Sequence, residues 1–177
     1  MNKCTDLDMH IQLIAQHDYK ALEALYEELA DSIYRFSLMI LHDSHLAEDA
    51  MQTTFMKIMA NAKLYKPKTN PKAWIFAIAR NVCMDICRAK IPVCDGNMLD
   101  SLSDNCVIDD LVDLIYVRDA VKKLTTIERD ILSLYIFAGL KQIEISKIMN
   151  IPYVKVRSHY KYAIQKLRKD FGDQVDG

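Results

Sequence analysis

Between residues 20 and 41 the apolar side chains Leu22, Leu25, Tyr26, Leu29, Ile33, Phe36 and Ile40 recur every three or four positions, with polar residues between them. That spacing puts them on one face of a helix. HDSH, residues 42–45, interrupts the stripe. A second one follows, made of Ala47, Ala50, Met51, Phe55, Ile58, Met59 and Ala62. Asp43 or Ser44 can cap its start by accepting an orphan backbone N–H. The two stripes predict an αα-hairpin.

NAKLYKPKTNP contains two prolines and reads as a loop. Asn70 then offers a cap, and Pro71 sits where a helix needs no N–H. Ile75, Ile78, Ala79, Val82 and Ile86 predict a third helix running to about Lys90, so three helices can enclose one core. Residues 91 to 110, with Pro92 and Gly96 and no sustained period, read as a linker. Leu114, Val117, Val121 and Leu124 mark a further helix. Thr125 and Glu128 fit a T-x-x-E capping box whose helix should stop at Gly139. Residues 141 to 149 predict a short helix, Asn150 a left-handed turn, and Pro152 the first turn of a last helix, which is helix-turn-helix form. Val156, Tyr160, Ala163 and Leu167 should pack inward there, leaving Lys155, Ser158, His159, Tyr162 and Lys166 outward. The fold class is therefore all-α, with two small helical domains and no internal repeat.

Composition agrees: 51% hydrophobic and 27% charged residues, with only four Gly and four Pro in 177 residues, suit a helical protein. No apolar run approaches the roughly 20 residues that cross a bilayer, and the N-terminus lacks the succession of a signal peptide. A cytoplasmic protein without membrane insertion is expected. Five cysteines, with no CxxC pair, indicate neither a disulfide framework nor a zinc ribbon. Cys83 and Cys87 share a helix face but no nearby His completes a metal site, and small buried apolar residues are the simpler expectation. No metal and no cofactor are expected.

The net charge of -1 conceals a segregation. Residues 1 to 90 net 0, residues 91 to 119 net -6, and residues 120 to 177 net +5. A basic C-terminal unit follows an acidic connector.

Three surfaces could carry function. On the last helix Lys155, Ser158, His159 and Tyr162 could approach DNA bases, while Arg157, Lys161 and Arg168 suit phosphates, because the major groove admits an α-helix. A solvated basic face on a protein-interaction helix is the plainer alternative. In LAEDAMQTTFMKI, Glu48, Asp49 and Gln52 edge a helix that is apolar on its other side and could meet a basic partner. Around the proline loop, Lys63, Lys66, Lys68 and Lys72 lie near Tyr65, Trp74 and Phe76, a combination suited to single-stranded DNA through phosphate neutralisation and base stacking. Phe76 fits the core better. There is no Gly-rich phosphate loop, HExxH or nucleophile elbow, so an enzyme is not expected.

Taken in order, ALEALYEELADSIYRFSLMILHDSHLAEDAMQTTFMKI, NPKAWIFAIARNVCMDICRAK and LTTIERDILSLYIFAGLKQIEISKIMNIPYVKVRSHYKYAIQKLRK strongly resemble a bacterial RNA polymerase sigma factor of the compact, extracytoplasmic-function group. The resemblance covers roughly residues 20 to 90 and 114 to 169. It implies a sigma-two domain over 1–92, a linker over 93–113 and a sigma-four helix-turn-helix domain over 114–177. It implies a factor that binds core RNA polymerase, directs it to promoters and aids melting. Asp49, Gln52 and Phe55, with Glu48, match the surface that docks on the beta-prime clamp helices. Lys63, Lys66, Lys68, Asn70, Trp74, Arg80 and Asn81 fall where the minus-ten element is recognised and melted. Lys155, Arg157, Ser158, His159, Lys161 and Tyr162 fall where the minus-thirty-five element is read, on a domain that also holds the beta flap. Promoter DNA and core polymerase are thus the implied partners, and an anti-sigma protein is a further candidate.

The chain departs from the family's usual recognition helix at Val154, Lys155, His159, Tyr162 and Ile164, so its promoter sequence cannot be copied from relatives. Lys141 and Gln142 replace the usual hydroxyl cap of the preceding helix. From another class, the alternative is a stand-alone helix-turn-helix regulator of duplex DNA, which would bind its operator tightly without polymerase.

Overall fold

A computed structural model describes residues 3–90, 121 and 123–172. The chain divides into two compact units, Met1–Asn97 and Met98–Gly177. The expected linker and the start of the helix from Leu114 lie outside the described residues, as do parts of the assigned domain boundaries. Among the described residues all regular structure is helical.

The first unit comprises α1 (Lys3–Ile14), α2 (Tyr19–Leu41), α3 (Ser44–Asn61), a short 3₁₀ turn at Ala62–Leu64 and α4 (Pro71–Lys90). The hairpin of α2 and α3 forms as expected. His42 takes a left-handed backbone (φ 54°) and donates its N–H to Leu38, which ends α2. Asp43 then accepts the Leu46 N–H at 3.0 Å and starts α3. Asn70 starts α4 in the same way, accepting from Ala73 N at 3.2 Å with Pro71 as the first helical residue.

Leu25, Leu29, Ile33, Phe36 and Ile40 of α2 are buried against Ala47, Ala50, Phe55 and Ile58 of α3 and against α4. Phe36 and Phe76 meet edge to face, centroids 5.4 Å apart. Three expected stripes are corrected. On α2 Tyr26 is exposed and Leu22 only half-buried. On α4 the fully buried positions include Phe76 and Cys83, while Ile78 and Ile86 are only half-buried, so the inward face is rotated from the expected one. On α3 Met59 is exposed. Cys83 lies with its Sγ 3.5 Å from Ser37 Oγ at the α2–α4 contact, a small buried side chain as expected.

The pattern of apolar positions does not predict α1. Its core-facing set is only Leu7, Ile11 and Ile14, too short a stripe to stand out, yet all three are buried. The helix ends at a turn in which His17 takes φ 68°, after which Asp18 caps α2 through Lys20 N and Ala21 N.

The second unit comprises α5 (Thr126–Ile136), α6 (Gln142–Met149) and α7 (Tyr153–Gly172). The capping box forms: Thr125 Oγ1 accepts from Glu128 N at 3.3 Å, and Glu128 Oε2 accepts from Thr125 N at 2.9 Å. α5 stops at Ile136, earlier than Gly139. Gly139, at φ 65°, instead supplies the left-handed turn that returns Leu140 to the core, where its N–H reaches Leu134 O at 3.3 Å. The start of α6 has no side-chain cap from Lys141, but Glu144 reaches back to accept the Lys141 N–H at 2.8 Å, which supplies half of a capping box. Asn150 adopts the left-handed turn (φ 53°), and α6 and α7 are joined by Asn150, Ile151 and Pro152. Ile131, Leu134, Leu140, Ile145, Val156 and Ala163 are buried in this unit.

Candidate functional site

Three surfaces emerge, two on helices and one on a loop between helices. On α3 the buried positions Ala47, Ala50, Met51, Thr54, Phe55 and Ile58 fix which side faces the core. Glu48, Asp49 and Gln52 therefore stand exposed, with Gln52 Nε2 3.4 Å from Glu48 Oε1. Phe55, grouped with them from sequence, is 6% exposed and packs on Tyr26 at a ring separation of 4.8 Å. Its ring supports the surface from behind. Exposed Met56 and Met59 extend the same side toward the loop, an apolar margin that helical spacing had assigned in part to the core.

The second surface is the loop from Ala62 to Asn70. Lys63, Lys66 and Lys68 are exposed, and Lys72 is half-buried at the start of α4. Tyr65, expected as an exposed stacking face, is instead 6% exposed. Its hydroxyl donates to Asp8 Oδ1 at 2.6 Å, and its ring tilts against Trp74 at 5.2 Å. Trp74 is half-buried, so one part of its indole is packed on Tyr65 and the rest reaches the surface. The Asn70 side-chain oxygen is engaged as the α4 cap. On α4 Arg80 is half-buried at the edge of the buried face, and Asn81 is exposed on the side turned from the buried Ala79, Val82 and Cys83. Phe76 is wholly buried, as its simpler reading held. Asp8 is the residue that sequence reasoning missed, because nothing in the sequence pairs it with a loop 57 residues away.

The third surface is α7. Val156 and Ala163 are fully buried, and Tyr160 is half-buried against Tyr135 with centroids 4.8 Å apart. Burial, then the hydrogen bond with Tyr135, pushes the Tyr160 phenol above its ordinary value. This inward set turns Lys155, Arg157, Ser158, Lys161 and Tyr162 to solvent, with His159 half-exposed. Ser158 Oγ donates to Val154 O at 3.0 Å. Lys166 departs from expectation: its Nζ lies 2.6 Å from Glu128 Oε2, a carboxylate with a side chain only 5% exposed. Burial alone would raise the Glu128 pKa. Hydrogen bonds from Lys166 and Thr125 and the Lys166 charge outweigh it and hold the carboxyl below its ordinary value. One side chain thus ties the α5 capping box to the middle of α7.

Among the described residues no group of three or more His, Cys, Asp or Glu could hold a metal ion, and no helix is long and apolar enough to cross a membrane. The arrangement suits binding. The lysines supply phosphate neutralisation, α7 supplies a groove-sized rod with polar side chains, and α3 supplies an acidic face.

The family model "Sigma-70 region 2" matches residues 25–90, and "Sigma-70, region 4" matches residues 120–169. The chain is 29% identical over 153 residues to the ECF RNA polymerase sigma factor SigM of Bacillus subtilis (strain 168), covering 83% of this chain and 93% of that protein. Two solved structures share the fold. CnrH in complex with the cytosolic domain of CnrY matches with a TM-score of 0.72 at 17% identity, over 95% of this chain and 98% of that one. The sigma factor RpoE in complex with the anti-sigma factor NepR, from Bartonella quintana, matches with a TM-score of 0.67 at 20% identity, over 86% and 98%.

Proposed function

This chain belongs to the sigma-70 family of RNA polymerase sigma factors, in its extracytoplasmic-function group, and we propose how its parts divide the work of transcription initiation. Residues 1–92 dock on polymerase and open DNA, residues 93–113 connect, and residues 114–177 read duplex DNA. Glu48, Asp49 and Gln52 meet the beta-prime clamp helices, with Phe55 holding α3 in place from the core side. Lys155, Arg157, Ser158, His159, Lys161 and Tyr162 contact the minus-thirty-five element, and the same unit holds the beta flap. The protein works in the cytoplasm, where polymerase and chromosome are, and contributes no catalytic step of its own.

The observation that carries this division is the loop from Ala62 to Asn70. Its three exposed lysines stand on a backbone fixed by Asp8 and by the Asn70 cap, beside a half-exposed Trp74. Such a surface favours a separated strand over a duplex. Unpairing a base costs a few kcal/mol. Stacking on an aromatic ring returns about 1–3 kcal/mol per base, and neutralised phosphates add more. Binding energy thus opens the minus-ten element, with Arg80 and Asn81 on the flanking helix face. An anti-sigma protein is a further proposed partner, supported by the shared fold with RpoE, whose structure is in complex with one.

The test is reconstitution. The purified protein added to core RNA polymerase should comigrate with it on gel filtration and yield a run-off transcript from a cognate promoter. Tight binding to a duplex operator without polymerase, together with no run-off product in its presence, would instead identify a stand-alone regulator.

A further inference from the structure

α1 and the loop are far apart in sequence, and one carboxylate joins them. Asp8 Oδ1 accepts the Tyr65 hydroxyl at 2.6 Å and the backbone N–H of Lys68 at 3.0 Å, residues 57 and 60 positions away. Its other oxygen accepts from Gln12 Nε2 at 2.7 Å, which orients the carboxylate from within α1. The neighbours Leu7 and Ile11 are wholly buried, so α1 is a firm base for this contact.

Lys68 takes φ 64°, a left-handed conformation that a lysine rarely adopts and that persists only where surrounding contacts hold it. The Asp8 bond is made to its backbone N–H, which leaves the ammonium available to a phosphate. Within the loop, Thr69 Oγ1 donates to Lys66 O at 2.7 Å, so the backbone at Lys68 and the placement of Lys66 are linked.

We propose that Asp8 is a positioning residue for promoter opening. By fixing Tyr65 and the left-handed turn at Lys68, it sets where Lys66 and Lys68 stand when the separated strand is captured. The inference rests on the reading of this loop as the surface that captures the minus-ten strand. Without the carboxylate, Lys68 relaxes toward an ordinary backbone conformation and the loop samples shapes in which Lys66 and Lys68 are no longer held in one arrangement. Opening then carries an ordering cost that the native loop has already met in folding.

The experiment uses the full chain with core polymerase on a promoter found by start-site mapping, with 2-aminopurine in the minus-ten element reporting opening. Asp8→Ala should assemble with polymerase at an affinity within about twofold of the parent, and should lower the opening equilibrium by about tenfold, about what one of the two loop hydrogen bonds lost with the carboxylate contributes. Asp8→Asn retains an acceptor oxygen for both donors and should recover opening to within about threefold. Tyr65→Phe, which leaves the Lys68 bond in place, should fall between. A Lys66→Ala/Lys68→Ala double variant separates the two ideas. If it impairs opening while Asp8→Ala opens normally, the positioning role is wrong and the loop assignment stands. If the double variant opens normally, the loop assignment itself fails. If Asp8→Ala loses polymerase binding and thermal stability, and Asp8→Asn restores neither, Asp8 is a general folding residue and the proposal is overturned.

Discussion

Replacing Lys166 with Met should destabilise the C-terminal unit measurably, although Lys166 lies on a helix that reads as a DNA-facing surface. The native pair is short, at 2.6 Å, and asymmetric: the Glu128 side chain is 5% exposed and that of Lys166 is 39% exposed. Met preserves most of the aliphatic stem and deletes the ammonium, so the change isolates charge from packing. Removing one partner of a fully buried pair costs about 3–5 kcal/mol, because the other charge remains without compensation. Two features reduce that here. Lys166 is partly screened by water, and Glu128 retains the Thr125 N–H at 2.9 Å. We expect a loss of about 2 kcal/mol. The pH dependence has a definite sign. The folded pKa of Glu128 is lowered, so its contribution is fully present above the ordinary value of 4.5 and is lost as pH falls through the lower folded value. The gap between parent and variant should therefore be widest near neutrality and close in acid. Amide hydrogen exchange of α5 and α7 in the intact chain measures it without requiring the unit to be isolated. A difference below about 0.5 kcal/mol, the range of ordinary surface changes, or a gap that widens in acid, would refute the reasoning.

Asp49→Lys should weaken polymerase association in a pull-down by at least about tenfold while leaving the thermal midpoint nearly unchanged, since an exposed helix charge contributes little to stability; unchanged affinity would remove Asp49 from the interface. Phe55→Ala should behave in the opposite way, costing about 3–5 kcal/mol of unfolding free energy through a cavity beside Tyr26. A stable Phe55→Ala protein that fails to bind polymerase would restore Phe55 as a contact residue. Lys155→Glu with Lys161→Glu should weaken holoenzyme binding to the minus-thirty-five duplex, and each phosphate contact removed should flatten the slope of log K against log salt by about 0.9; an unaltered slope would place both lysines away from DNA.

Most of the fold was legible because its signals are local. Asp43, Asn70, Thr125 with Glu128, and Asn150 each act on backbone within a few residues, and each does what its residue type predicts. The stripes of α2 and α7 were legible for most of their members, although Tyr26 of α2 is exposed and Tyr160 and Leu167 of α7 are only half-buried. Three features depended on contacts between distant residues and were not legible. α1 buries only a short stripe, so its pattern was too brief to read. Tyr65 looked like an exposed ring because its loop is polar, and its burial follows from Asp8 on that unread helix. Lys166 falls on the outward-reading side of α7, yet Glu128 lies 38 residues earlier in sequence and draws it in. Phe55 illustrates a different limit: a motif match gathers exposed residues and the buried residue behind them into one string, and only burial separates them.

The most direct test of the central account is to transcribe fragmented genomic DNA with core polymerase, with and without this protein, map the 5′ ends, and probe unpaired thymines with permanganate. The account predicts new starts that depend on the protein, each preceded by two shared sequence elements, with the downstream element reactive to permanganate. Starts that share no such elements, or no new starts despite tight binding of the protein alone to duplex DNA, would contradict it.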